Sequence, residues 1–305
     1  MPRAVRRTLD WRVRRRLPLY VMLLPALVGL LLFRYYPMYG IIIAFKKFEP
    51  LRGFAGSPWV GFKNFQQMFN MPDSWEILRN TLVIAIGKIG LGQAFSVVFA
   101  LLLNEVRLRW FKRTVQSVTY MLHFLSWMIF GGILIDMLAS RGIVNSVLAS
   151  VGLQPVRFLT DAAIFPFTAI ATDIWKSFGF GAVIYLAALT GIDPALHEAA
   201  AVDGATRWLR LRHVTLPGIS STIVLMAALS LGWVMDAGLE QLLVLCNPAV
   251  YSTGDIIDTW VYRTGLLGLQ FSLGTAVGLF KGVVSLILIS LSYYLADRLA
   301  NYRIF

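Results

Sequence analysis

The sequence predicts an all-α, polytopic membrane protein with six transmembrane helices, and three observations carry this prediction. Of the 305 residues, 57% are hydrophobic and 14% are charged, and the mean hydropathy is +0.68. Apolar runs far longer than a core helix requires recur along the chain. The basic residues cluster in short segments beside these runs, as the selection of membrane topology produces. These features exclude a soluble globular protein and argue against nucleic-acid binding, despite a net charge of +12.

Six apolar runs are long enough to cross about 30 Å of hydrocarbon at about 1.5 Å of helix per residue. We place these spans at residues 18–45, 80–104, 115–138, 164–190, 218–246 and 271–296. Because backbone groups inside a bilayer must satisfy their hydrogen bonds within the protein, helices are the expected form. The chain therefore divides into a basic amino-terminal segment (1–17), one six-span domain (18–296) and a short tail (297–305).

The distribution of lysine and arginine predicts the orientation of the chain. One side of the membrane holds sixteen of these residues, in the amino terminus, the loop at 107–113, the segment 207–212 and the tail; the other side holds eight. Since cytoplasmic loops carry the excess of basic residues, we expect both termini in the cytoplasm. The segment 46–76 then lies on the external side.

An external cap is predicted for residues 46–76, which contain glycine, proline and several aromatic residues. The aromatic side chains that could act together are Trp59, Phe62, Phe65 and Phe69. Two interpretations remain open. These side chains form either the apolar face of a short surface helix or an aromatic belt at the membrane interface.

A charged helical hairpin interrupts the apolar pattern at residues 194–217. Pro194 suits the first turn of a helix, and the residues up to Val202 favour helix. Asp203 and Gly204 then interrupt this helix. Glycine adopts positive φ readily at a helix end, and the aspartate can cap the helix that follows.

We expect the second helix of the hairpin from Ala205 to about Thr215, with the next span beginning at Pro217. Glu198 offers a carboxylate suited to a partner's arginine. Small residues, which let another surface approach closely, stand at Ala199, Ala200 and Ala205. The alternative is an interfacial helix on the cytoplasmic leaflet, held there by Arg207, Arg210 and Arg212.

The hairpin resembles the coupling loop of permease subunits in bacterial binding-protein-dependent ABC importers. The family pattern of EAA, two residues, DGA and a later Leu-Pro is present at 198–200, 203–205 and 216–217. Leu211 stands where the family has an aromatic residue, and Val214 fills the branched aliphatic position. Four further segments are similar to the carbohydrate-uptake branch, and specifically to its polysaccharide and lipo-oligosaccharide subgroup: "RNTL" (79–82), "ALLLNEVR" (100–107), "FKRTVQSVTYMLHFLSW" (111–127) and "ANYRIF" (300–305). Members of that subgroup usually have a proline where Leu122 stands.

This resemblance implies the type I ABC importer permease fold, in which the hairpin forms coupling helices that dock into a cleft of the ATPase subunit. The family's glutamate binds an ATPase arginine, and its glycine forms the turn. Carried over to this sequence, the coupling residues are Glu198, Ala199, Ala200, Asp203, Gly204, Ala205, Leu211 and Pro217.

The resemblance also implies a set of partners in the bacterial inner membrane. These are a second homologous permease subunit, two ATPase subunits, an extracytoplasmic solute-binding protein, the surrounding lipid and a saccharide substrate. ATP and Mg²⁺ would be bound by the ATPase subunits, so this chain is expected to bind no cofactor and to catalyse no reaction. An acidic polymer such as alginate is one candidate substrate.

Ionisable groups at membrane depth usually face a cavity or a partner. Three lysines lie about ten residues from the external ends of their spans and so at similar depth: Lys88, Lys176 and Lys281. A ring of ammonium groups around one cavity would suit an anionic saccharide. The alternative is a set of internal ion pairs, with Asp173 neutralising Lys176 and with Asp236 and Glu240 pairing with other lysines.

Aromatic and amide side chains inside the spans allow two interpretations. Trp175 and Trp233 are suited to stacking on sugar rings, although aromatic residues in spans more often serve packing. Gln93 and His123 are predicted to form hydrogen bonds between helices.

The sequence contains no recognisable catalytic set or metal-ligand spacing, so no metal site is expected. Cys246 is the only cysteine, which excludes an internal disulfide. Two other classes of membrane protein would leave different signatures. An ion-coupled secondary transporter should show matched interruptions in two halves, and a membrane-embedded glycosyl transferase should show acidic or histidine clusters. Neither signature is evident in the sequence.

Overall fold

A computed structural model describes the backbone of residues 3–300 and the side chains of residues 16–294. Across that part of the chain the structure is helical, and the single strand-like pairing is an isolated antiparallel bridge between Lys46 and Trp59. The basic side chains at positions 1–15, and those of Arg298 and Arg303 in the tail, lie outside the described side chains.

The main helices are, in chain order, α1 (Arg3–Leu30), α2 (Lys63–Asn70), α3 (Ser74–Glu105), α4 (Arg109–Phe124), α5 (Trp127–Leu138), α6 (Ile143–Ser150), α7 (Phe165–Thr190), α8 (Pro194–Val202), α9 (Arg207–Leu231), α10 (Leu239–Leu245) and α11 (Phe271–Ala300). Helical turns extend α1 to Phe45, and others lie at Gly53–Gly56, Pro248–Val250, Tyr251–Gly254, Ile257–Trp260 and Val261–Leu267.

Five stretches in the described part of the chain are long and apolar enough to cross a membrane: Arg16–Phe45, Ser74–Glu105, Trp127–Ser150, Arg207–Leu231 and Phe271–Tyr294. A sixth is formed by α7 taken with α8, from which it is bent by 70°. The all-α, polytopic fold class expected from the apolar runs is confirmed.

The third span differs from the continuous helix predicted at 115–138. It is broken between α4 and α5, where Leu125 is extended and the hydroxyl of Ser126 accepts a hydrogen bond from the amide of Ile129 at 3.3 Å. The first amides of a helix have no carbonyl partner within the helix, and a serine hydroxyl at the amino-terminal cap accepts a hydrogen bond from one of them. The helix is therefore interrupted here although Leu122 replaces the family's proline.

The fifth span was predicted at 218–246, and its carboxyl-terminal bound is wrong. The helix runs without interruption from Arg207 to Leu231, and the chain then turns through residues 232–238 before α10 begins. Gly238 makes this turn with φ of +93°, a backbone conformation that residues with a side chain rarely adopt. The segment after Leu231 is apolar because α10 is buried in the protein core, and apolar composition alone does not distinguish core from bilayer.

The centre of the fold is the long packing of α3 against α7. Its core contains Ile84, Phe130, Phe165 and Leu242, all nearly inaccessible to solvent. On another side α9 packs against α11. The first span has an exposed surface along its length and contacts the rest of the chain chiefly at its carboxyl-terminal turn, which packs on α11.

Residues 46–76 fold as a cap around α2. The ring of Phe45 stacks on Trp59 at 5.8 Å and contacts Phe62 and Phe65, each at 5.5 Å. The buried amide of Asn64 donates to the carbonyl groups of residues 44 and 46, at 2.7 and 3.1 Å. Phe69 contacts Phe280 of α11 at 5.4 Å. These contacts fix the cap to the end of the first span and to α11.

Candidate functional site

The hairpin begins and ends with well-defined capping interactions. The carboxylate of Asp193 accepts a hydrogen bond from the amide two residues later at 2.9 Å, and Pro194 occupies the first helical position, as predicted. At the end of α8, Gly204 has φ of +75°, and the amide of Ala205 donates to the carbonyl of Ala200 at 2.9 Å. A residue with a side chain would be strained at Gly204, so glycine fixes this turn.

The cap of the second helix differs from the sequence prediction. Asp203 does not cap it; its amide donates to the carbonyl of Ala199 at 3.0 Å, which places Asp203 at the carboxyl-terminal cap of α8. The hydroxyl of Thr206 caps α9 instead, accepting from the amide of Leu209 at 3.4 Å. The tight Gly204 turn sets the first helical residue of α9 two positions later than expected, at Arg207.

The second helix of the hairpin and the fifth span form one helix. A π-helical turn at Leu211–Thr215 lies where Pro217 follows, and the amide of Leu216 donates five residues back to the carbonyl of Leu211. Proline lacks an amide hydrogen and its ring crowds the carbonyl four residues earlier, so a wider turn before it relieves the conflict. The hairpin and the membrane helix therefore share one uninterrupted helical backbone.

The hairpin presents several exposed groups that could contact a partner. Glu198 is exposed, and no lysine or arginine among the described side chains lies within 4 Å of its carboxylate. Val202 is 88% exposed and Trp208 is 66% exposed. The family positions Ala199, Ala200, Ala205 and Leu211 are exposed or half-buried. The hairpin surface thus combines exposed carboxylates, Glu198 among them, with exposed apolar side chains.

Inside the membrane region, Lys88 lies in a polar network between α3, α7 and α10. Its ammonium donates to the carbonyl of Ala237 at 2.6 Å and to the side chain of Gln241, and it lies 3.6 Å from the carboxylate of Asp173. The fully buried Gln241 donates in turn to α7, at the carbonyl of residue 169 (2.7 Å) and the hydroxyl of Thr172 (2.8 Å). Lys88 and Gln241 therefore tie the turn before α10 to α3 and α7.

Lys281 is held by two carboxylates. Its ammonium contacts both oxygens of Asp258, at 2.6 and 2.8 Å, and lies 3.9 Å from Asp236. The structure thus places Lys88 and Lys281 in ion pairs, which is the alternative that the sequence left open. Glu240 is exposed and forms no ion pair within 4 Å among the described side chains.

Lys176 has different surroundings. Its ammonium donates to the backbone carbonyl of His123 at 2.9 Å and lies 5.3 Å from the centre of the Trp127 ring. Asp173, which the sequence suggested as its neutralising partner, forms its ion pair with Lys88 on the neighbouring helix instead. Spacing along one helix did not decide the pairing, because the packing of α3 on α7 brings Lys88 closer.

The other predicted polar and aromatic residues show mixed outcomes. Gln93 donates to the carbonyl of Ile223 at 2.6 Å, so its interhelical hydrogen bond is confirmed. The ring of His123 instead stacks on Phe180 at 4.1 Å, and its Nδ1 atom has no hydrogen-bond partner in the described structure. Trp175 contacts Phe130 at 5.5 Å, and Trp233 is exposed.

The sequence interpretation missed three residues of these networks. Gln241 and Gly238 lie inside what was taken as a continuous fifth span and were not singled out, and Asp258 lies between the predicted fifth and sixth spans. A Gly-Leu-Glu-Gln sequence within an apolar run was the available signal, since it places a flexible residue beside two polar ones.

These features define a class: a helical subunit of a membrane transporter with a helix continuous between an exposed hairpin and the bilayer. Residues 96–304 match the family described as binding-protein-dependent transport system inner membrane component. The chain belongs to this family.

Two curated relatives from Bacillus subtilis (strain 168) cover nearly the whole chain. The polygalacturonan/rhamnogalacturonan transport system permease protein YteP is 40% identical over 288 residues, covering 94% of this chain and 90% of the relative. Protein LplB is 41% identical over 281 residues, covering 92% and 88%.

Solved structures agree with this assignment. The permease chain in the crystal structure of a bacterial ABC transporter for import of the acidic polysaccharide alginate has a TM-score of 0.88 and 36% identity, covering 96% of this chain and 99% of that one. A chain of the MetNI methionine ABC transporter has a TM-score of 0.50 at 21% identity and shares the fold alone. The chain thus has the type I ABC importer permease fold, and it is neither a secondary transporter nor a glycosyl transferase.

Proposed function

We propose that this chain is one of two permease subunits of an ATP-driven importer for acidic oligo- or polysaccharides. The observation that carries the proposal is the likeness, over more than nine-tenths of the chain, to an alginate transporter and to a permease for polygalacturonan. Alginate and polygalacturonan are polymers of uronic acids, which carry one carboxylate per sugar, and the rhamnogalacturonan that YteP is also named for contains uronic acid units beside neutral rhamnose. Ammonium groups at membrane depth are chemically suited to such a polymer.

The hairpin at 194–217 is the proposed docking element for an ATPase subunit. Its exposed Glu198 carboxylate is free to accept hydrogen bonds from an arginine, and the neighbouring Val202 and Trp208 supply apolar surface that a protein partner would bury. ATP and Mg²⁺ are bound and ATP is hydrolysed on the partner, while this chain supplies no catalytic group.

The proposed transport cycle uses the continuity of α9. When two ATPase subunits close on ATP, the docked hairpins move together, and the helix that begins at Arg207 carries this movement to Leu231 inside the membrane. The pathway then alternates between the two sides of the membrane. A second, related permease subunit completes the pathway, and an external solute-binding protein delivers the saccharide to the cap side.

The orientation in this proposal follows the distribution of basic residues, with both termini and the hairpin in the cytoplasm and the cap outside. The compartment is the bacterial inner membrane.

The substrate proposal is tested with the complete importer, containing both permeases, the ATPases and the binding protein, in proteoliposomes. We expect ATP-dependent uptake of a uronate oligosaccharide and much slower uptake of an uncharged oligosaccharide of the same length. Uptake of the uncharged sugar alone would refute the acidic substrate class, and ATP-independent uptake would refute the ATP-driven mechanism.

A further inference from the structure

The three intramembrane lysines differ in what neutralises them. Lys88 lies 3.6 Å from Asp173, and Lys281 contacts both oxygens of Asp258. When a lysine forms an ion pair with a carboxylate of its own chain, its positive charge is largely compensated, and it attracts an anionic ligand only weakly. These two residues therefore serve the internal structure first.

Lys176 is the exception among these lysines. It is 7% exposed, yet no carboxylate in the described part of the chain lies within 4 Å of its ammonium. Asp173 and Glu240 act on it only from a greater distance. Its direct contacts are a carbonyl of the free carboxyl-terminal end of α4 and the Trp127 ring. An ammonium with no carboxylate within 4 Å keeps its charge available for an external anion.

The surroundings of this ammonium match the chemistry of a sugar acid. The residue whose carbonyl binds this ammonium, His123, lies in a cluster with the rings of Phe124 and Phe180, whose centroids are 6.0 Å apart, and Phe124 is 75% exposed. His123 completes the cluster, and its Nδ1 atom lacks a hydrogen-bond partner among the described residues. Aromatic faces bind the apolar face of a sugar ring, and an ammonium forms a charge-assisted hydrogen bond with its carboxylate.

We propose that Lys176 binds the carboxylate of a uronate unit as the saccharide passes through the membrane, with Phe124 and Phe180 contacting the sugar ring. This inference rests on the proposed function, because it presupposes a uronate substrate. It assigns substrate recognition to one lysine and structural roles to the other two. A carboxylate of the second permease subunit is the competing counter-ion, and the Trp127 ring at the ammonium together with the rings clustered around His123 favours the sugar.

The test measures the affinity of the assembled importer complex for a uronate trisaccharide and for its carboxyl-reduced counterpart. For Lys176→Met we expect the Kd of the uronate to rise about ten- to a hundredfold, the effect of losing one charge-assisted hydrogen bond, with the Kd of the reduced sugar unchanged. Lys176→Arg keeps the charge and should bind the uronate nearly as the unaltered complex does.

The matched control is the double variant Lys281→Met with Asp258→Asn, which removes a lysine together with its partner carboxylate and should leave the uronate affinity within about twofold. An equal loss for both saccharides in Lys176→Met, or an equal loss in the control, would overturn the assignment. If the unaltered complex imports no saccharide at all, the proposed function itself fails. If it imports both saccharides and binds them equally, saccharide import stands and the role of Lys176 is refuted.

Discussion

Among single residues, Gly238 has the most constrained position in the polar network. Its φ of +93° is strained for any side chain, and a Cβ atom there would lie 2.7 Å from the Lys88 ammonium. The same ammonium binds the carbonyl of the adjacent Ala237. The turn before α10 and the placement of Lys88 therefore depend on glycine at this position.

We expect Gly238→Ala to lower the free energy of unfolding by about 1–3 kcal/mol, from backbone strain and displacement of Lys88. The measurement is the thermal unfolding midpoint of the purified subunit in detergent. Gly278→Ala in α11 is the matched control, because Gly278 has no atom within 4 Å of an added Cβ and no positive φ. Equal midpoints for the two variants would show that the Gly238 turn tolerates a side chain.

At this scale the sequence predicted which residues carry charge at membrane depth and left their pairing open. Helical spacing suggested Asp173 as one possible partner of Lys176, but Asp173 pairs with a lysine of a different helix. Pairing of that kind depends on tertiary packing, which local spacing does not encode. Gln93 was easier to interpret, since a side-chain amide inside a span finds few hydrogen-bond partners other than groups on another helix.

Among the elements, α9 determines how the hairpin and the membrane are connected. Leu211 replaces the family's aromatic residue, and the exposed Trp208 stands three positions earlier, on the same face of the helix. Trp208 can therefore supply the aromatic contact from one turn away.

We expect Trp208→Ala to weaken docking of the ATPase subunits by on the order of tenfold or more, as for a buried aromatic at the centre of an interface. Leu211→Ala should have a smaller effect. The measurement is recovery of ATPase subunits with the affinity-purified permease pair, together with ATPase activity stimulated by the loaded binding protein. Trp110→Ala, an exposed tryptophan at the start of α4, is the control and should leave both quantities unchanged. An effect of Leu211→Ala larger than that of Trp208→Ala would contradict this assignment.

The elements themselves were predictable to different degrees. Long apolar runs located α3, α7 and α11, because runs of that length seldom occur outside membrane spans. The breaks at residues 125–126 and 232–238 were missed, since both lie within predominantly apolar sequence and are stabilised by a serine cap and by Lys88. The coupling hairpin could be located from its motif, but its second cap depended on the turn geometry at Gly204.

For the whole molecule, the proposed orientation can be checked with two exposed positions at its opposite ends. Cys246 is the only cysteine, and burial raises the pKa of its thiol to about 12, so the thiolate is scarce at neutral pH. Background labelling by maleimide should therefore be slow. Leu51 in the cap and Val202 in the hairpin are both highly exposed.

We expect a membrane-impermeant maleimide, added to spheroplasts at pH 7, to label Leu51→Cys at once and Val202→Cys only after the membrane is permeabilised. The unaltered chain, with Cys246 alone, is the control and should stay weakly labelled in both conditions. Labelling of Val202→Cys in intact spheroplasts would place the hairpin outside and reverse the orientation.

The network around Lys88 has a consequence for how the chain is made. During synthesis, α3 emerges before α7 and α10, so its lysine enters the bilayer before Asp173 and Gln241 exist. An unpaired lysine at the centre of an inserting helix costs about 2.5–3.5 kcal/mol on insertion scales. The second span is therefore stably inserted only after α7 and α10 have been synthesised and have packed against it. Insertion of this subunit is cooperative across helices that are far apart in sequence.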